Sequence, residues 1–326
     1  MIKIGFIGFG RFSQTRVKVL ATVPGVSVVG YFDPGVHQGE GVIRRFEDAN
    51  ELLGNIDAVI ISVPPKLAPS YVAQSLRSNL HVFCEKPAAV STSDLMQIEA
   101  HISEEKVLAY GFNHRQHSSI RKMKALIKER VLGNILWMRG RYGKEVDDSY
   151  RNTWRCNVDL NGGGILIDQG IHMVDLMTYL ANGFDGAQAV LSTSYLNKPG
   201  IDDNGFINLY STTSKISASI HSTITQWRYM FSLEIFLEKG SLILNGLKTN
   251  SGNYGDEILT IKPNENHQDI MDISELHYEV NESWKEEMES FIVAIKNGTE
   301  YPYAKYEDAL QTTKLIDLIY KGAVWL

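Results

Sequence analysis

Five short apolar runs in the first third of the chain constrain its fold most: Ile2–Ile7, Val26–Asp33, Ala58–Val63, His81–Cys84 and Val107–Phe112. Each is rich in Val, Ile and Phe, with little polar alternation. Such a run needs apolar cover on both faces, as a strand inside a parallel sheet has. Between the runs lie stretches with helical signals, Phe12–Ala21, Pro69–Arg77 and Ser93–Ile102. The span from Asp33 to Asp57 carries periodicity for only a short helix near Asp48–Leu53. Strands alternating with helices predict an α/β domain on a doubly wound parallel sheet.

The pattern changes near residue 118. A helix at Ile120–Glu129 and a strand at Ile135–Tyr142 lead through a polar loop to Gly162-Gly163-Gly164 and a helix at Ile165–Leu180. Six strand candidates follow with few helical signals between them: Ala189–Tyr195, Gly205–Thr212, Ile216–Thr225, Phe231–Leu237, Leu242–Leu244 and Ile258–Ile261. Hairpin turns are expected at Ser214-Lys215 and Lys239-Gly240. Helices at Asn281–Lys296 and Tyr306–Tyr320 close the chain. These signals predict a first domain over 1–118 and an α+β domain over 119–326 with a large, mostly antiparallel open sheet. The last helix, about 305–321, is expected to pack back on the first domain. A chain of 326 residues exceeds one comfortable core, which agrees with two domains.

The net charge of −6 disfavours a nucleic-acid partner, because phosphate binding needs a basic footprint. Two cysteines, Cys84 and Cys156, cannot form a disulfide framework and fit a reducing compartment. With no leader-like start and no long apolar span, the expectation is a cytoplasmic protein without a membrane partner.

Two constellations carry chemistry. Gly8-Phe9-Gly10-Arg11-Phe12-Ser13 sits at the first strand-to-helix turn. There Gly8 permits a tight turn, and Gly10 lets the backbone approach a pyrophosphate resting on the helix N-terminus. Ser13 stands where a third glycine is usual, so the helix is expected slightly further from the strand. Asp33, at the end of the second strand, is placed to accept hydrogen bonds from ribose hydroxyls, which favours NAD over NADP. Glu85-Lys86-Pro87 follows the fourth predicted strand, at the end where open α/β sheets bind ligands. A lysine there can stabilise a developing alkoxide, with Glu85 holding it or a cofactor hydroxyl. On the helix after the glycine run, Asp168, His172 and Asp175 fall on one stripe of a mostly apolar surface. Buried ionisable groups are costly unless paired, so this stripe reads either as a proton-transfer site or as a polar anchor between domains. His114, His117 and His172 make a poor metal set, with no cysteine or carboxylate to complete it, and no metal is expected.

With Gly111-Phe112-Asn113 and Arg115, these residues give the chain a resemblance over almost its whole length to the glucose-fructose oxidoreductase / inositol dehydrogenase (Gfo/Idh/MocA) family. The resemblance implies an N-terminal Rossmann domain and a C-terminal open sheet that serves homodimer or homotetramer formation. It implies Lys86, Asp168 and His172 as catalytic residues, and cofactor contacts from Gly8, Gly10, Arg11, Phe12, Asp33, Ser62, Pro64, Glu85, Lys86 and Asn113. Substrate contacts are expected from Lys86, Arg115, Tyr142, Trp154, Arg155, Asp168 and His172, with Tyr142 stacking on the sugar ring. Lys66-Leu67 stands where many relatives carry a histidine, which touches the nicotinamide edge rather than the chemistry. The expected activity is NAD-dependent oxidation of a secondary hydroxyl of a sugar, nucleotide-linked or phosphorylated sugars included, to a ketone. Two alternatives stay open: a redox-neutral enzyme that oxidises transiently through a retained NAD, and a dinucleotide sensor without chemistry.

Overall fold

In the computed structural model, which describes residues 1–35, 43–249 and 252–326, the apolar runs of the first third become one sheet. Its strands are β1 (Ile2–Ile7), β2 (Val26–Phe32), β3 (Arg44–Phe46), β4 (Ala58–Ile61), β5 (His81–Glu85) and β6 (Leu108–Gly111). They lie parallel in the order β3-β2-β1-β4-β5-β6, the order of dinucleotide-binding sheets. Ile4, Phe6, Ile60 and Phe83 are fully buried, as their unbroken apolar runs require. β3 was not expected; Arg44-Arg45-Phe46 is a polar edge strand with one buried side chain and leaves no periodic signal.

Residues 1–113 with 283–313 form one compact unit, and residues 114–282 with 314–326 a second. The helix Ser283–Asn297 returns to the first unit and packs Met288, Phe291 and Ile292 into the same core as Phe6 and Phe83. The short helix near Asp48 forms over Ala49–Leu53, with the Asp48 side chain accepting from Glu51 N as its cap. The expected helix at Ser93–Ile102 is broken into an α-helical turn at Thr92–Met96 and a 3₁₀ turn at Glu99–His101. Only Leu95 and Ile98 bury apolar surface along it, too little to hold one continuous helix.

The second unit is built on nine strands: β7 (Ile135–Gly143), β8 (Gly186–Ser192), β9 (Asn204–Tyr210), β10 (Ser217–Thr223), β11 (Met230–Leu237), β12 (Gly240–Asn245), and, after a small separate pair β13 (Lys248–Thr249) and β14 (Gly252–Asn253), β15 (Glu257–Pro263), β16 (Ser274–Tyr278) and β17 (Val324–Trp325). The order is β16-β15-β12-β11-β7-β10-β9-β8-β17. All neighbours are antiparallel except β7 with β10 and β8 with β17. The second hairpin pairs Leu237 with Gly240, so its turn is Glu238-Lys239, one residue earlier than expected. β16 and β17, at the two edges, were not foreseen.

One face of this sheet is covered by the helix Ile171–Ala181. Gly140 of β7 makes the close packing possible: a Cβ there would stand 2.5 Å from Met173 Sδ. The other face leaves Trp137, Val190, Phe206 and Tyr210 exposed.

Candidate active site

The first strand-to-helix turn has the shape the glycines predict. Gly8 has φ +83°, and a Cβ on it would stand 2.2 Å from the Ser62 carbonyl oxygen, so only glycine fits. A Cβ on Gly10 would meet nothing within 4 Å. Open space therefore lies over the N-terminus of the helix Arg11–Leu20, whose first turn carries no acidic residue and no side-chain cap. These are the conditions under which a helix N-terminus takes a pyrophosphate. Ser13 is fully buried, and its hydroxyl donates to Gly8 O (2.7 Å), tying helix to strand where a glycine would merely allow contact. The Asp33 carboxylate accepts from Phe9 N (2.7 Å) and Gly35 N (2.7 Å). It thus braces the glycine turn while sitting at the end of β2, where a ribose is read. The turn, the helix and Asp33 fit a dinucleotide.

Glu85 is tied to the first helix. Arg16 of the first helix, 1% exposed, donates from Nε to Glu85 Oε1 (2.5 Å) and from Nη2 to Glu287 Oε2 (2.7 Å). Its guanidinium also lies over the rings of Phe83 (4.3 Å) and Trp284 (4.6 Å). One cation thus serves two carboxylates. Burial pushes the Glu287 carboxyl up to about 8, with Arg16 opposing the rise and Glu85 adding to it. The cluster fixes the β5 end from which the Glu85-Lys86-Pro87 loop leaves; the Lys86–Pro87 peptide is cis. Asn113, at the end of the same unit, donates to Ser283 Oγ (3.1 Å). Ser62 follows β4 and donates its backbone N–H to Ile7 O (2.8 Å), with Pro64 two residues beyond.

In the second unit the expected single helix is two pieces. Leu166–Gly170 forms a π turn, and the α-helix Ile171–Ala181 follows. Asp202 caps its start from a distance, accepting from Gly164 N (2.7 Å), Leu166 N (2.8 Å) and the Tyr320 hydroxyl (2.7 Å). A π turn carries extra residues per turn and is often found at functional sites. It breaks the straight stripe that α-helical spacing predicts for Asp168, His172 and Asp175. Asp168 and Asp175 each have cationic partners of their own. Asp168 lies 3.2 Å from Arg155 Nε and 3.5 Å from Lys144 Nζ, and accepts from the Tyr150 hydroxyl (3.4 Å). Asp175, fully buried, forms a two-point pair with Arg115 through Nε (2.9 Å) and Nη2 (2.7 Å). Arg115 is 1% exposed and anchors this helix through that pair.

His172 has a neighbour that sequence spacing did not reveal. The His114 ring lies on it with centroids 3.8 Å apart and planes 9° from parallel. His114 Nε2 is bonded to the Tyr142 hydroxyl (2.8 Å). Tyr142 is 3% exposed, and its hydroxyl supports this pair through His114. Burial raises its hydroxyl's pKa. Parallel stacking keeps the ring-nitrogen lone pairs in separate planes rather than aimed at one point, and among the described residues no group of three His, Cys, Asp or Glu converges on a metal site. Trp154 stacks against Arg155 (4.4 Å), the partner of Asp168. Arg16, Glu287, Lys144, Tyr150 and Asp202 also escaped the sequence reading, because each acts through a partner far away in the chain.

Residues 2–114 match the oxidoreductase family with an NAD-binding Rossmann fold, and residues 120–243 match the GFO/IDH/MocA C-terminal domain. Among characterised proteins, glucose-6-phosphate 3-dehydrogenase of Bacillus subtilis is 30% identical over 188 residues. That match covers 55% of this chain and about half, 54%, of the Bacillus protein. Myo-inositol 2-dehydrogenase of Thermotoga maritima is 23% identical over 94% of this chain and 92% of its own. Among solved structures, levoglucosan dehydrogenase in complex with NADH and levoglucosan superposes with a TM-score of 0.86 at 20% identity, covering 98% of this chain and 96% of that one, a likeness of fold.

Proposed function

The chain belongs to the Gfo/Idh/MocA family of oxidoreductases, and from that premise we propose that it oxidises a secondary hydroxyl of a sugar or sugar derivative to a ketone with NAD. The observation that carries this reading is the π turn that presents Asp168, set between Lys144 and Arg155, four residues before His172. A carboxylate between two cations keeps a fixed orientation, which suits a group that orients a hydroxyl and its base.

In this reading Gly8, Gly10, Arg11 and Phe12 hold the pyrophosphate, and Asp33 holds the adenosine ribose. When bound, the nicotinamide supplies the hydride acceptor. His172 takes the hydroxyl proton, Lys86 stabilises the alkoxide, and Asp168 orients the reacting hydroxyl. The pH profiles of His172 and Lys86 variants separate the base from the alkoxide stabiliser. Trp154 and Arg155 border the substrate through Asp168. An acid at position 33 disfavours a 2′-phosphate, so NAD is preferred to NADP. We also assign homo-oligomer formation to the outer face of the second sheet. There Trp137 stacks on Phe236 (3.9 Å) and Phe206 on His221 (4.2 Å), with Trp137 and Phe206 40% and 55% exposed.

The test is nicotinamide absorbance of the purified protein with NAD+ or NADP+ and a panel of sugars, sugar phosphates and nucleotide sugars. The expected result is a substrate-dependent rise with NAD+ that disappears in Lys86→Ala. A flat trace across the panel from protein that binds NAD counts against net oxidation. Cofactor that copurifies and never exchanges would then favour the redox-neutral route.

A further inference from the structure

Nothing in the reaction scheme above uses His114, yet its ring stacks directly on that of the proposed base. The two rings are parallel, 3.8 Å apart, and both are nearly buried, at 4% and 6% exposure. Its Nε2 meets the hydroxyl of Tyr142, which is itself bonded to Gln169 and Tyr254. Gln169 Nε2 donates to the Tyr254 hydroxyl (2.8 Å), so the network runs Gln169, Tyr254, Tyr142, His114. With the Tyr142 hydroxyl donating to Nε2, a neutral His114 carries its proton on Nδ1.

We propose that His114 is a positioning residue for His172: it fixes the plane of the His172 imidazole and shares a single proton with it. This rests on the reading of His172 as the proton acceptor. The physical reason is charge. Two imidazolium ions stacked at this distance in a partly dry site repel. At an effective dielectric of about 20, unit charges about 4 Å apart shift a protonation equilibrium by roughly a thousandfold. The pair therefore takes up its first proton well before its second, and the two steps belong to the pair. Whenever His114 holds the proton, His172 stays neutral and able to accept another from substrate. Titratable groups near the pair include Tyr142 from β7, its ring 6.4 Å from that of His172, and His117 in the same turn as His114; four residues before His172, Asp168 is paired with Lys144 and Arg155. His117 Nδ1 is tied to Glu257 (3.0 Å), and the Phe231 ring of β11 lies 6.3 Å from that of His114.

Imidazole NMR titration of the full chain decides the matter without any substrate. In the wild type the His114 and His172 signals should both move in two shared steps separated by more than about one pH unit. In His114→Phe, which keeps a flat ring on His172, the His172 signal should move in one step. Tyr142→Phe removes only the donor to His114, so the first step should move to higher pH; this variant carries the test if His114→Phe does not fold. With a sugar that turns over, the acid limb of kcat/KM in His114→Phe should move up by about one pH unit or more, because His172 then titrates alone. Independent single-step titrations in the wild type, unchanged in His114→Phe, would overturn the proposal. A flat activity panel with two-step NMR titrations would instead count against the dehydrogenase reading and leave the coupled pair standing.

Discussion

The two units handle buried charge in opposite ways. In the first, one cation faces two carboxylates: Arg16 sits at 1% exposure between Glu85 and Glu287, under two aromatic rings. In the second, one carboxylate faces two cations: Asp168 sits between Lys144 and Arg155, whose side chains keep 18% and 24% exposure. The first cluster is sealed and short of positive charge, which suits a structural clamp. The second is open on its cationic side and rich in positive charge, which suits a site where an alkoxide develops. The pair of Arg115 with Asp175 is a sealed clamp within the second unit, so the difference follows the task rather than the unit.

The largest effect expected from breaking this contrast is on the sealed side. Arg16→Ala leaves two carboxylates without their cation and should cost about 3–5 kcal/mol of stability, read from denaturant unfolding. On the open side, His172→Ala should lower kcat by about 10²–10⁴-fold while the melting temperature and NAD affinity hold. Near-wild-type turnover in that variant would remove His172 from the chemistry. Asp33→Asn should weaken NAD binding by about tenfold, through lost charge-assisted hydrogen bonds at the glycine turn and the ribose, measured by calorimetry.

The smallest effect sharpens the comparison through pH. Burial holds the Glu287 carboxyl near 8 against an ordinary value of 4.5, so between these limits the native state binds more protons than the unfolded chain. Stability from this group is therefore full below about 4.5 and declines as pH rises toward 8. A melting temperature that falls across this window in the wild type, and falls less in Glu287→Gln, is the expected result.

The β1-to-helix turn was legible because a strand, two glycines and an acid in register describe a backbone shape, and local sequence encodes backbone shape. Gly8 accordingly takes φ +83°, a Cβ on Gly10 would meet open space, and Asp33 accepts from Phe9 N of the turn. The helix after Gly164 was legible as a buried helix carrying ionisable groups, but not as a π turn, because one-face arithmetic assumes α-helical periodicity. That arithmetic also could not show that Asp175 pairs with Arg115, sixty residues earlier. His114 was visible only as a histidine in a loop after a strand. Its stack on His172 depends on the fold of β7 and the helix together, which no spacing rule reaches. Edge strands β3 and β17 were missed because two- or three-residue strands bury too little to leave a pattern.

The central claim is that the chain moves hydride from a sugar carbon while its own side chains handle only the proton. It is tested most directly with a sugar from the panel that is deuterated at the reacting carbon, following the label by NMR. The account predicts that the deuterium appears on the reduced nicotinamide, with a primary isotope effect on turnover, and that both signals vanish in Lys86→Ala. Deuterium released to water, with no label on the cofactor, would contradict it.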